Sequence, residues 1–188
     1  MIDSKDKLNY YLKEDFYVND KVKLTFREYV LNWFYPDYLW CFLKTLRYYE
    51  YWLNNPCNGI YSKVKRKYYL RLFKKYSVKL GFSIPPNVFG PGLRIPHYGT
   101  IIVHPHAKVG KNCVLQAGVN IGVNKRGVPV IGDDVYIGPG AKIFGSITIA
   151  DKIAIGANAV VNKSFYENNI TIAGIPARII KHEKANER

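Results

Sequence analysis

The sequence is short of acids, poor in sulfur, and free of glycine over its first 58 residues. Asp and Glu number 14 against 28 Lys and Arg, a formal charge of +14. Such a balance favours anionic partners: a phosphorylated cofactor, an acidic glycan, nucleic acid or a membrane face. Cysteine is limited to Cys41, Cys57 and Cys113. Their number is odd and their spacing fits no metal site, so a reduced, cytoplasmic setting is expected. No apolar run approaches the length of a membrane span. The opening MIDSKDKLNYYLKED has no apolar centre and does not read as a signal peptide.

What the chain has in abundance is a period of six. From Val103 an aliphatic residue recurs at Val109, Leu115 and Ile121; after a step of ten it resumes at Ile131, Ile137, Ile143, Ile149, Ile155 and Val161. The fourth position after each is small or aliphatic, as at Ala107, Cys113, Val119, Val135, Ala141 and Ala159. Neither a helix nor a simple strand gives that period. A coil with three flat sides does, each side a short strand and a tight corner, with the leading aliphatic stacked inside on its counterpart one coil away. An earlier set, Ile84, Phe89, Ile95 and Ile101, extends the coil backwards. Two steps are irregular. Two extra residues fall near His97–His104, and four, about Asn124–Gly127, form a loop. Insertions in solenoids go to the surface and often carry binding, so chemistry is sought at these two places.

Residues 1–80 differ in kind. They hold all three Trp and 13 of the 16 Tyr, and they read as a small helical domain. Ser4 caps a first helix to about Phe16. Thr25 with Glu28 matches a capping box for a short helix in FREYVLNWF. Pro36 opens a longer helix ended by Asn54-Asn55-Pro56, its apolar face carrying Leu39, Phe42, Leu43, Leu46, Tyr49 and Leu53. The last helix, YSKVKRKYYLRLFKKYSVKL, stops at Gly81 and is predicted to set Val64, Tyr68, Leu72 and Tyr76 along one face. It carries eight Lys and Arg and no acid. Three readings of it stay open: a solvated face, a groove for an anionic acceptor, and attachment to the inner face of a membrane. Nucleic-acid binding is not expected, because no nucleic-acid motif accompanies the charge.

The run GPGLRIPHYGTIIVHPHAKVGKNCVLQAGVNIG, followed by VPVIGDDVYIGPGAKIFGSITIADKIAIGANAVV and ITIAGIPARII, resembles the left-handed β-helix domain of serine acetyltransferase. The resemblance covers about residues 81–181. It implies a mainly β fold: a left-handed parallel β-helix of hexapeptide repeats over residues 81–188, with a C-terminal closing segment, behind the α-helical domain of residues 1–80. It also implies acetyl-CoA as cosubstrate, transfer of acetyl to a hydroxyl, and a homotrimer, with a dimer of trimers as a further expectation. Acetyl transfer needs a base for the hydroxyl proton, and an imidazole titrates near neutrality. His97 matches the family's catalytic histidine. Tyr98, His104, Lys125 and Arg126 are candidates for the acceptor site. Gly138, Ala141, Gly156, Ala157, Lys163 and Arg178 are candidates for holding coenzyme A, the last two toward its phosphates. His106 is read as lining the cleft with His104 or as a corner residue, and His182 as part of a surface tail. No metal is expected, since the His-rich downstream coils of zinc-binding β-helix proteins are missing.

The likeness has gaps. The family's Asp before the catalytic His is Pro96 here, and the Asp that orients the His ring corresponds to Ser83. The family's loop Arg-His pair corresponds to Gly127-Val128. A zwitterionic amino acid must have both charges paired as it leaves water, so these changes point to a sugar hydroxyl of a capsule or surface-polysaccharide precursor as acceptor. Serine is the alternative acceptor. A non-catalytic β-helix scaffold is a third reading.

Overall fold

The computed structural model describes residues 1–21, 36–55, 59–125 and 127–182. The short helix read in FREYVLNWF and the capping pair Thr25 and Glu28 lie outside the described residues, as does Arg126.

Three helices precede the coil among the described residues. Helix α1 is Lys5–Val18, and the Ser4 hydroxyl accepts the Lys7 N–H at 3.2 Å, capping it. Helix α2 is Tyr38–Asn54. Its cap is Asp37, one residue beyond Pro36, accepting the Trp40 N–H at 3.1 Å. Helix α3 is Ile60–Leu80 and ends on Gly81 at φ +78°, a conformation that costs a residue without Cβ little. Its buried side is not the one expected. Tyr69, Phe73, Tyr76 and Leu80 turn inward, whereas Val64 and Tyr68 are more than half exposed. Phe42 of α2 stacks at 5.8 Å on Phe73 and meets Phe82 edge-on at 5.1 Å, which ties the helices to the first coil.

Beyond Gly81 the chain winds as a parallel solenoid. Strands β1 (Phe82–Ser83), β2 (Ile101–Val103), β5 (Asn120–Gly122), β8 (Lys142–Phe144) and β11 (Val160–Val161) form its first face. The second is β3 (Lys108–Val109), β6 (Val130–Ile131) and β9 (Thr148–Ile149). The third is β4 (Val114–Leu115), β7 (Tyr136–Ile137), β10 (Ala154–Ile155), β12 (Ile170–Gly174) and β13 (Ala177–His182). Each leading aliphatic stacks on its counterpart in the next coil. On the first face Val103, Ile121, Ile143 and Val161 are in register. On the third, Leu115, Ile137, Ile155 and Ile172 are. All eight are at most 3 % exposed. The fold is therefore the left-handed β-helix that the hexads imply, with helices before it. Strand β13 turns back antiparallel on β12 and carries the fold to His182, where a surface tail was expected.

The first coil has no coil before it, so helix side chains satisfy the backbone groups it leaves open. Asp15 Oδ1 accepts the N–H groups of Gly92 and Leu93 at 2.8 and 2.9 Å. Arg47 donates to the carbonyls of Phe89 and Gly90 at 3.0 and 2.7 Å. Glu50 accepts the Asn87 N–H at 2.7 Å. Asn19 donates to the Leu93 carbonyl at 2.9 Å, and Arg94 pairs with Asp20 at 2.8 Å.

Candidate active site

His97 stands on the corner that joins the third face to the first. Arg94 is level with Val114, and Val103 with Ile121. The path from Ile95 to Val103 thus takes eight steps where that from Leu115 to Ile121 takes six. The two added residues swell this corner, and His97 and Tyr98 project from it, Tyr98 at 75 % exposure. Gly99 closes the corner at φ +134°, its N–H donating to the Leu80 carbonyl at 3.0 Å. On the other side the segment Gly92–Ile95 is held by Asp15, Asn19 and Asp20, just ahead of Pro96 and His97. The backbone carrying His97 is therefore pinned at both ends, while the imidazole itself is exposed. Among the described residues no side chain hydrogen-bonds that ring. Ser83, the counterpart of the orienting Asp, pairs with Ile102 on the first face and is exposed.

His104 lies at the other end of β2, on the corner from the first face to the second. Its Nδ1 accepts the His106 N–H at 3.2 Å, which leaves the proton of the neutral ring on Nε2. The two rings meet edge-on at 5.3 Å. Within one chain this pair does not share a cleft with His97. The four-residue insertion lies on the same edge as His104. Asn124 and Gly127 exchange two backbone hydrogen bonds of 3.1 Å, making a tight hairpin with Lys125 exposed at its tip.

The residues expected to hold coenzyme A fall into two groups. Gly138, Gly156 and Ala157 lie on the His97 edge, in later coils. Lys163 and Arg178 come together in an open cleft of about 750 Å³ that Phe165, Tyr166, Glu167 and Pro176 also line. Lys163 Nζ sits 5.4 Å from the Phe165 ring centre. One residue does not fit. Ala141 is completely buried, at 0 % exposure, because it fills the inward fourth position after Ile137. It offers no surface to a ligand, and the period of six itself carried that signal. Gly138 and Gly156 have a packing reason for being glycine. A Cβ on Gly138 would lie 2.6 Å from the Ile155 carbonyl oxygen, and one on Gly156 2.8 Å from the Ala173 Cβ.

Sequence reasoning missed the residues that hold the first coil. Arg47 and Glu50 lie on the apolar stripe of α2, one turn beyond Leu43 and Leu46, and a charged pair inside an apolar stripe was the available sign. Asp15 and Asn19 carried none. Among the described residues no group of three His, Cys, Asp or Glu is placed to hold a metal ion, and no helix is long and apolar enough to cross a membrane.

A left-handed β-helix of hexapeptides with an exposed histidine on a swollen corner defines a class, the hexapeptide-repeat transferases. No family model matches the chain, but individual proteins do. A serine O-acetyltransferase structure from Brucella melitensis, described as a bacterial hexapeptide-repeat transferase, is 30% identical with a TM-score of 0.66; the match covers 95% of this chain and 68% of that one. A serine acetyltransferase from Brucella abortus, solved in complex with coenzyme A, is 27% identical with a TM-score of 0.66, over 95% of this chain and 68% of the other. The serine acetyltransferase of Staphylococcus xylosus is 36% identical over 139 residues, 70% of this chain and 63% of the relative. The chain belongs to the serine acetyltransferase family. The match spans 63% of the Staphylococcus xylosus protein and 43% of a serine acetyltransferase from Synechococcus elongatus.

Proposed function

We propose that this chain is an acetyl-CoA-dependent O-acetyltransferase with His97 as general base. What carries the reading is a histidine exposed on a pinned and widened corner, at the position of the family's catalytic residue. The His97 ring takes the proton of the acceptor hydroxyl as its oxygen attacks the thioester carbonyl carbon. The C–S bond then breaks, and the imidazolium returns the proton to the departing thiolate, leaving an ester and free coenzyme A. The Brucella abortus relative was solved with coenzyme A, and on that likeness the phosphates here pair with Lys163 and Arg178. The active unit is a homotrimer. His97 is on one edge of the first face and Lys125 on the opposite edge, so a neighbouring copy must bring the hairpin to the histidine.

The relatives' names support L-serine as acceptor better than the sugar hydroxyl expected from the sequence. Lys125 at the hairpin tip is a cation for the serine carboxylate. A sugar remains the second reading on one observation: Pro96, next to His97, offers no charge to an ammonium group, while exposed Tyr98 offers an aromatic face to a ring. Coenzyme A release measured against L-serine and a panel of sugar acceptors tests both. Serine turnover with kcat/KM of about 10⁴ M⁻¹s⁻¹ or more is ordinary for an enzyme on its own substrate and supports serine. Turnover on a sugar alone supports the second reading. No release on any acceptor, with no coenzyme A binding, leaves the scaffold.

A further inference from the structure

The outward side of α3 presents large apolar residues to solvent on one stripe. Ile60 is 82% exposed, Tyr61 65%, Val64 58%, Tyr68 53% and Val78 84%. Arg71 and Lys75 fall inside the same stripe at helical spacing, and Lys63, Lys67 and Lys74 flank it. The stripe continues at Val78 and Lys74 into an apolar cleft of about 410 Å³ against Phe82 and Pro85. Soluble surfaces scatter single apolar residues; a row of five along 21 residues of helix, about 30 Å, exceeds that scatter.

We infer that α3 lies in the plane of an anionic lipid surface, its aliphatic residues dipping into the headgroup boundary and its lysines pairing with lipid phosphates. The charge selects this occupant. The helix has eight cations and no acid, so a second copy of the same face would be repelled, whereas an anionic leaflet is drawn in. The apolar residues select it over nucleic acid. Ile60, Val64 and Val78 gain nothing on a phosphate backbone but are what an interfacial helix buries. The inference stands apart from the chemistry at His97, since none of these residues belongs to that site.

The test is flotation of the full-length chain with vesicles of phosphatidylcholine alone and of phosphatidylcholine mixed with phosphatidylglycerol. Binding is expected to the mixed vesicles only. It should weaken when salt rises from about 0.1 M to about 1 M, which shortens the screening length from about 10 Å to about 3 Å. The double variant Val64→Asp/Val78→Asp should lose about tenfold or more in partitioning, and Lys67→Ala/Lys74→Ala about tenfold. Both should keep the wild-type unfolding midpoint, because the altered side chains are exposed. Binding to neither vesicle, or equal binding to both, overturns the inference. So does self-association that Val64→Asp/Val78→Asp abolishes, or tighter binding to duplex DNA than to the mixed vesicles at the same salt.

Discussion

Arg47 shows what a charge needs when it sits without water. It is fully buried, with Asp15 at 2.8 Å and Glu50 at 3.0 Å. Burial works against its charged form, but the two carboxylates outweigh burial and hold its pKa above the usual guanidinium value. Burial also raises the Glu50 pKa, with Arg47 opposing. Removing one member strands the others, so Arg47→Met should cost about 3–5 kcal/mol of stability in urea unfolding. A loss below about 1 kcal/mol would mean the cluster is not what joins the helices to the coil. Cys113 is the opposite case, an ionisable group kept neutral. Burial alone pushes its thiol up to about 12, whereas in an unfolded chain a thiol ionises near about 8.5. The raised native value means that this contribution to stability is complete below about pH 8.5 and is lost as pH rises toward 12. Between those values the unfolded chain sheds its proton while the folded one keeps it. Iodoacetamide at alkaline pH should therefore label Cys113 only as fast as the chain unfolds. Labelling faster than unfolding would contradict the burial.

At the scale of the element, adjacent coils touch through backbone. A Cβ on Gly90 would lie 2.7 Å from the carbonyl carbon of Gly110, with no flexible side chain to give way. Gly90→Ala should destabilise by about 1–3 kcal/mol, the usual range for overpacking. Gly59, with nothing within 4 Å of its Cβ position, is the control; as the cap of α3, where Gly is preferred to Ala, it should lose about 0.5–1 kcal/mol on replacement by Ala and nothing from overpacking. Equal thermal midpoints for the two variants would contradict close coil contact. The coil was legible in the sequence because its period is rigid: every sixth residue enters the same core, and the departures marked the swollen corner and the hairpin. The buried side of α3 was not, because Val64, Tyr68, Leu72 and Tyr76 and, alternatively, Tyr69, Phe73, Tyr76 and Leu80 both sit at helical spacing. Aromatic residues on both sides leave periodicity undecided, and packing on Phe42 chose. The junction was hidden for another reason. Asp15 looks like a solvent-facing charge, and Arg47 with Glu50 only interrupts an apolar stripe, until the open end of the first coil gives them backbone to bind.

For the whole molecule the division of the proposed site between two edges matters most. One copy has His97 at one end of β2 and the hairpin of Lys125 along the opposite edge, so assembly is part of the proposed chemistry. Sedimentation should give a species of three copies or a multiple of three, and a fully active monomer would contradict the shared site. The measurement that bears most directly on the central claim is the rate of acetyl transfer from acetyl-CoA to L-serine by wild type and by His97→Ala, with coenzyme A binding followed alongside. The account expects serine-dependent release of coenzyme A by wild type and a fall of about 10²–10⁴-fold in kcat for His97→Ala, the range for losing a general base, with coenzyme A binding nearly intact. Near-normal turnover in His97→Ala, above all if His104→Ala abolishes it, would contradict it.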